Sequence, residues 1–156
     1  MRARNSMMDM FTKSNLMLRA VIFFVLVCAV PIPACAIQMT DTTLYGRTLL
    51  EQINRYRQDH GLSQLSFDPG LNRVAKSHSF TMFQQKRISH LDFNKRFERS
   101  GSRLCVENVG WNYTSPIKQF DAWRKSSGHD QNMLTDGLRK AGIAEVGGYV
   151  TFFSCQ

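Results

Sequence analysis

The chain has no apolar run long enough to cross a bilayer. Val21–Val30 is an unbroken apolar stretch, but it holds only ten residues, against the roughly 20 that a membrane-spanning helix needs. Cysteines are few, at four, so a disulfide-dense miniature scaffold is excluded. Acidic residues are outnumbered, 12 against 20 basic ones. There is no internal repeat, no low-complexity tract and no nucleic-acid-binding motif. The nucleophile-elbow pattern Gly-x-Ser-x-Gly is missing, which argues against a serine hydrolase. No short histidine-based metal motif occurs either.

What the N-terminus does contain reads as an export signal spanning residues 1–36. Arg2, Arg4, Lys13 and Arg19 make a basic lead, the apolar run follows, and Ala34-Cys35-Ala36 fits a small-residue cleavage site. Met17 is an alternative start that leaves a leader of ordinary length. A rival route would lipidate Cys35, because Ile32-Pro33-Ala34-Cys35 resembles a lipobox. Removing residues 1–36 leaves one domain with sixteen basic and eleven acidic residues, a net charge of +5. That balance favours contact with anionic headgroups or acidic wall polymers, or is simply solubility charge. Lys86, Arg87, Lys95, Arg96, Arg99 and Arg103 cluster in mid-chain, yet lack the interleaved aromatic platforms of a single-strand binder. After cleavage Cys105 and Cys155 remain, an even pair in an oxidising compartment, either bridged or as two free thiols. A bridge would close a loop of about 50 residues and stabilise by roughly 4 kcal/mol.

Hydrophobic spacing marks out the elements. Residues 37–42 read as a linker that leads into a helix over 43–59, with Tyr45, Leu49, Ile53 and Tyr56 on its buried face and Gly61 as its stop. Ser66 to Gly70 reads as a turn in which Asp68 caps a helix over 69–85. The stripe of that helix is Leu71, Val74, Ala75, His78 and Met82. A short helix is expected over 93–99 and a strand over 104–111. Ser115-Pro116 opens a further helix whose stripe is Ile117, Phe120 and Trp123. Residues 130–137 suggest a helical turn. Gly147-Gly148 joins a closing hairpin of 142–146 and 149–155. The fold class is α+β.

Certain words along the chain are more telling than any spacing. They are Leu50-Glu51-Gln52-Ile53-Asn54-Arg55-Tyr56-Arg57, Leu65-Ser66-Phe67-Asp68, Ser89-His90, Arg96-Phe97, Glu107-Asn108, Trp123, Gly128-His129, Asn132-Met133-Leu134 and Gly142-Ile143-Ala144. Taken in order from about Leu49 to Phe153, they resemble the CAP superfamily (cysteine-rich secretory, antigen-5 and pathogenesis-related proteins; the SCP domain), its bacterial branch in particular. The CAP-like region is set at 49–156, after a stretch 37–48 of linker and first-helix start. The resemblance implies an α-β-α sandwich with a small antiparallel sheet between helical layers. In that layout the strands bearing Cys105 and Cys155 lie side by side. It also implies a cavity with two histidines and two acids. His90, Glu107 and His129 match three of these, while Ser126 stands where the second acid usually lies. That departure undercuts a four-residue acid–base mechanism.

The cavity is therefore assigned to His90, Glu107, Asn108, Ser126 and His129. His90, His129 and Glu107 are candidate ligands for a divalent cation, zinc first, with Glu107 alternatively behind a histidine as its orienting partner. His78, on an apolar stripe, reads as a packed core histidine, and His60 as a helix-end residue. Asn108 and Asn132 are expected to tie loops around the cavity. Trp111, Tyr113, Phe120 and Trp123 are expected in the core or the cavity wall. The function expected is an exported, non-enzymatic binding module, secreted or periplasmic and monomeric, for a lipid, wall polymer or protein and not for nucleic acid. Two alternatives stand beside it: a metal-dependent hydrolase using His90, His129 and Glu107, and an envelope scaffold lipid-anchored through Cys35.

Overall fold

The computed structural model of the chain describes residues 42–156. The expected leader, its cleavage site, Cys28, Cys35 and the start of the linker lie outside these residues. Helix α1 spans Leu44–Asp59. The hydroxyl of Thr43 accepts a hydrogen bond from the Gly46 amide at its start, and Gly61 follows its end with φ +73°, a left-handed turn that glycine tolerates. Strand β1 is Ser66–Phe67 and α2 is Pro69–Gln85. Asp68 Oδ1 accepts from the Leu71 amide at 2.8 Å, the cap expected of it. Then come α3 (Phe93–Ser100), β2 (Cys105–Trp111), α4 (Pro116–Arg124) and α5 (Ser127–Met133). The hairpin β3 (Lys140–Val146) and β4 (Tyr149–Cys155) closes the chain. Gly147 and Gly148 both have positive φ, as a tight hairpin turn demands.

The sheet runs β1-β3-β4-β2. β3, β4 and β2 are antiparallel neighbours, but β1 lies parallel to β3. The sheet is thus mixed, where a wholly antiparallel one was expected. Ser66 and Phe67 were read only as part of a turn. Two residues are too short to show alternation, and their pairing depends on β3, some 70 residues on.

Alternation along the strands sorts their side chains onto two faces. Val106, Ala141, Ile143, Val150 and Phe152 pack with Leu49, Ile53, Phe120, Trp123 and Met133 of α1, α4 and α5. On the opposite face Ala144, Phe153 and Cys155 meet Leu71 and Ala75 of α2, and Val109 and Tyr149 meet Met82. This is an α-β-α sandwich. Gly142 permits the second contact. A Cβ there would collide with the backbone of Leu71 and Asn72, so α2 rests directly on β3. Cys105 and Cys155 are register partners on β2 and β4 and form the disulfide.

Three side chains depart from their expected places. Ile117 is 52% exposed, so the buried stripe of α4 is Phe120 and Trp123 with Gln119 beside them. Trp111 and Tyr113 are also exposed, not core. Arg57 is fully buried. Its guanidinium donates to the carbonyls of Ser63, Met133 and Thr135, tying α1 to the end of α5. Helical spacing puts Arg57 on the inner face, one turn beyond Ile53.

Candidate functional site

Strand β2 lies at the edge of the sheet. Its carbonyls on the open side are capped by side chains: Asn132 Nδ2 donates to Glu107 O at 3.1 Å and Trp123 Nε1 to Val109 O at 3.0 Å. Side-chain donors here replace a further strand, and α4 and α5 thereby close the edge. Glu107 points to the same face as Cys105 and Val109, towards α2 and α3. Asn108 points the other way, towards α5.

The Glu107 carboxylate is the centre of the site. Its side chain is 1% exposed. Arg96 of α3 grips it with two bonds, Nε to Oε2 at 2.7 Å and Nη2 to Oε1 at 2.7 Å. His90 Nδ1 lies 2.9 Å from Oε1. A carboxylate at neutral pH only accepts, so Nδ1 carries the proton. Nε2 of the neutral ring then keeps its lone pair. Burial alone would raise the Glu107 pKa. The hydrogen bonds from His90 and Arg96 and the guanidinium charge outweigh burial, and the net shift is downward. Arg96 is itself positioned by donating from Nη1 to Leu91 O at 2.7 Å.

His78 of α2 flanks this cluster. It is buried, with Nε2 at 2.7 Å from Ser89 O, so that nitrogen must be the donor. Glu107 Oε1 is 3.6 Å away. Burial lowers the His78 pKa, with Glu107 opposing and Arg96 reinforcing the shift. The packed, hydrogen-bonded histidine read from the sequence is what stands here, but it stands against the site.

On the far side of β2, Asn108 Nδ2 donates to His129 O at 2.9 Å, and Asn132 Nδ2 donates to Asn108 Oδ1 at 2.8 Å. These bonds pin α5, and with it His129, to the strand. The His129 ring lies 6.2 Å from that of Trp123. Its pKa is lowered by burial first and then by the charge of His90. A depression of about 400 Å³ opens over the β2 edge, lined by His90, Phe93, Cys105, Val106, Glu107 and Asn132.

His90 and Glu107 are therefore joined directly, while His129 is held on α5 through the bond from Asn108 to its carbonyl. Ser126 is the residue before α5, and its hydroxyl makes no hydrogen bond to the helix. Ser126, Asn108 and His129 do not line the depression, whereas His90 and Glu107 do. As a three-ligand metal cage the trio does not fit. Among the described residues no group of three or more His, Cys, Asp or Glu is arranged to hold a metal ion. The physical reason is Arg96, which already balances the charge of Glu107. Reasoning from the sequence treated Arg96 as one member of a basic cluster and did not assign it to the cavity. The available signal was the need of a strand-borne carboxylate for a cation, but several arginines and lysines satisfied it equally.

With this geometry in place, relatives sharpen the picture. The family model of the cysteine-rich secretory protein family, CAP, matches residues 50–156. The chain belongs to the CAP family. This CAP chain is 28% identical over 115 residues to the protein YkwD of Bacillus subtilis (strain 168), covering 69% of the chain and 44% of YkwD. It thus spans less than half of the length of that relative. Among solved structures it resembles an extracellular protein containing an SCP domain from Bacillus anthracis str. Ames. The TM-score is 0.68 and the identity 22%, over 72% of the CAP chain and 40% of the other. An outer surface protein from Borrelia burgdorferi is similar at TM-score 0.60 and 20% identity, over 69% and 87% of the two chains. Among the described residues no helix is long and apolar enough to cross a membrane.

Proposed function

We propose that this CAP protein is an exported binding module that takes its ligand over the β2 edge, with His90 and His129 as the recognising groups. One observation carries the reading: Glu107 is held by Arg96 and His90 together. Three donors converge on a carboxylate whose pKa is depressed, which makes it a weak base. Its service is to hold the His90 ring with Nδ1 protonated, leaving Nε2 for a ligand. As a general base Glu107 is poorly suited, because three donors already hold it. Export is supported by the extracellular and outer-surface relatives.

A divalent cation enters this reading on two imidazoles only, His90 through Nε2 and His129, with Glu107 behind His90. Such a site leaves coordination positions for an external ligand. Calorimetric titration with Zn²⁺ tests it. His90→Ala and His129→Ala should each remove most of the binding. Glu107→Gln should weaken it by roughly 10- to 100-fold. Should the His90→Ala, His129→Ala double variant bind Zn²⁺ as the parent does, the cation site is wrong and the histidines form a plain polar network.

A further inference from the structure

A second concavity lies between α2 and α3, on the other side of the Arg96–Glu107 pair. It is a cleft of about 520 Å³, within the range of roughly 300–1,000 Å³ typical of small-molecule sites. Arg73, Ser77, Thr81 and Gln85 line one wall, four positions spaced one turn apart that form a single ridge of α2. Lys95 and Arg99 of α3 line the other wall, and His78 and Arg96 the floor.

The cations of this cleft are not equivalent. Arg96 is committed to Glu107. Lys95 lies 2.9 Å from Asp92, which neutralises that end. Arg73 and Arg99, one on each wall, have no acidic partner among the described residues. The hydroxyl of Ser77 stands on the ridge one turn beyond Arg73, and that of Thr81, which donates to Ser77 O, keeps its lone pairs. Two uncommitted guanidiniums facing one cleft match the planar, multidentate recognition of phosphate. Neutral hydroxyl and amide groups beside them match hydroxyls on the same molecule.

We propose that this cleft binds a small phosphate-bearing polyol, with Arg73 and Arg99 holding the phosphate and the Ser77–Thr81–Gln85 ridge meeting its hydroxyls. The phosphate is either that of a soluble molecule or that of a phospholipid headgroup. The site is independent of the histidine depression, which it meets only through the Arg96–Glu107 pair.

The test is calorimetry of the full exported chain with glycerol phosphate and with inorganic phosphate, beside co-sedimentation with phosphatidylglycerol or phosphatidylcholine vesicles. Arg73→Gln and Arg99→Gln should each weaken binding at least roughly tenfold, a loss in the range expected for a charged hydrogen-bonding partner, and together should abolish it. Arg55→Gln, on exposed α1 surface away from the cleft, should change nothing. Circular dichroism should show all four variants folded. Binding of glycerol phosphate that the double variant loses assigns a soluble ligand. Binding confined to phosphatidylglycerol vesicles and lost in the double variant assigns a headgroup. If no probe binds, or if the double variant binds as well as the parent, the proposal is overturned. Zn²⁺ binding at the histidines should persist in the double variant, which separates failure of one site from failure of the other.

Discussion

The two faces of the sheet are built on different principles. Towards α1, α4 and α5 the contacts are apolar and continuous, from Leu49 and Ile53 through Trp123 to Phe152. Towards α2 and α3 the apolar contacts fall into two small groups, separated by polar ones. The Ser79 hydroxyl donates to Ala144 O at 3.0 Å and shares a hydrogen bond with the Thr151 hydroxyl at 2.8 Å, and Arg96, His78, Glu107 and His90 form the network at the strand edge. Buried polar groups cost free energy unless their partners are in place. The first face therefore stabilises mainly by bulk and the second mainly by geometry, with Asn108, Asn132 and His129 as the polar exception on the α5 side.

The largest expected effects set the two faces side by side. Phe152→Ala should cost about 3–5 kcal/mol by opening a cavity in the apolar face. Arg96→Met should cost a similar 3–5 kcal/mol by stranding the Glu107 charge. Urea denaturation of both measures this. The comparison sharpens if Arg96→Met also disturbs ligand binding while Phe152→Ala does not. A small loss for Arg96→Met would mean that water, not the guanidinium, solvates Glu107.

Next in size is the disulfide, which spans 50 residues and staples β2 to β4 at the end of the polar face. Replacing Cys105 and Cys155 by serine should cost about 2–4 kcal/mol, again read by urea denaturation against the parent. Equal stability would show that the sheet register holds without it.

A smaller effect follows from pH. His78 and His129 have pKa values lowered by burial, His129 further by His90. The unfolded chain, with histidines near pKa 6.5, then binds more protons than the native one as pH falls below about 6.5, so acidification destabilises. Glu107, also lowered, has the same sign: its contribution is present above the unfolded carboxylate pKa of about 4.3 and is lost as pH falls through the folded value. Denaturation midpoints should therefore decline from neutral pH downward. A flat profile in Phe152→Ala and parent alike would contradict the polar face as the acid-sensitive one.

These contrasts also explain what could be read from the sequence. The helices over Leu44–Asp59 and Pro69–Gln85, the Asp68 cap and the final hairpin are local patterns of spacing and turn chemistry, and all are legible. The even cysteine count left Cys105 and Cys155 either bridged or free, and the layout implied by the family resemblance put their strands side by side, where the disulfide forms. The family words pointed to His90 and Glu107, which hydrogen-bond to each other, and to His129. What stayed hidden depends on distant partners. Ser66 and Phe67 become a strand only beside β3, Arg57 is buried only because three carbonyls converge on it, and Arg96 becomes the counterion of Glu107 only through the placing of α3. Ile117 illustrates the opposite failure: helical spacing placed it in the stripe, but it is 52% exposed.

The smallest expected effect is that of Ser126→Ala. Its hydroxyl makes no capping bond, so stability should change by less than about 0.5 kcal/mol and Zn²⁺ affinity not at all. Thermal unfolding and calorimetry check both, and a large loss of either would return Ser126 to the cavity.

The central claim is that Glu107 serves as the orienting partner of His90 and not as a base or a ligand. Long-range ¹H–¹⁵N correlation spectra of the imidazoles, recorded above pH ~6.5, where an ordinary histidine is neutral, test it most directly. The account predicts that His90 is the Nδ1–H tautomer, with Nε2 showing the shift of a bare lone-pair nitrogen. A neutral His90 carrying its proton on Nε2 would contradict it, because the hydrogen bond to Glu107 would then be absent in solution.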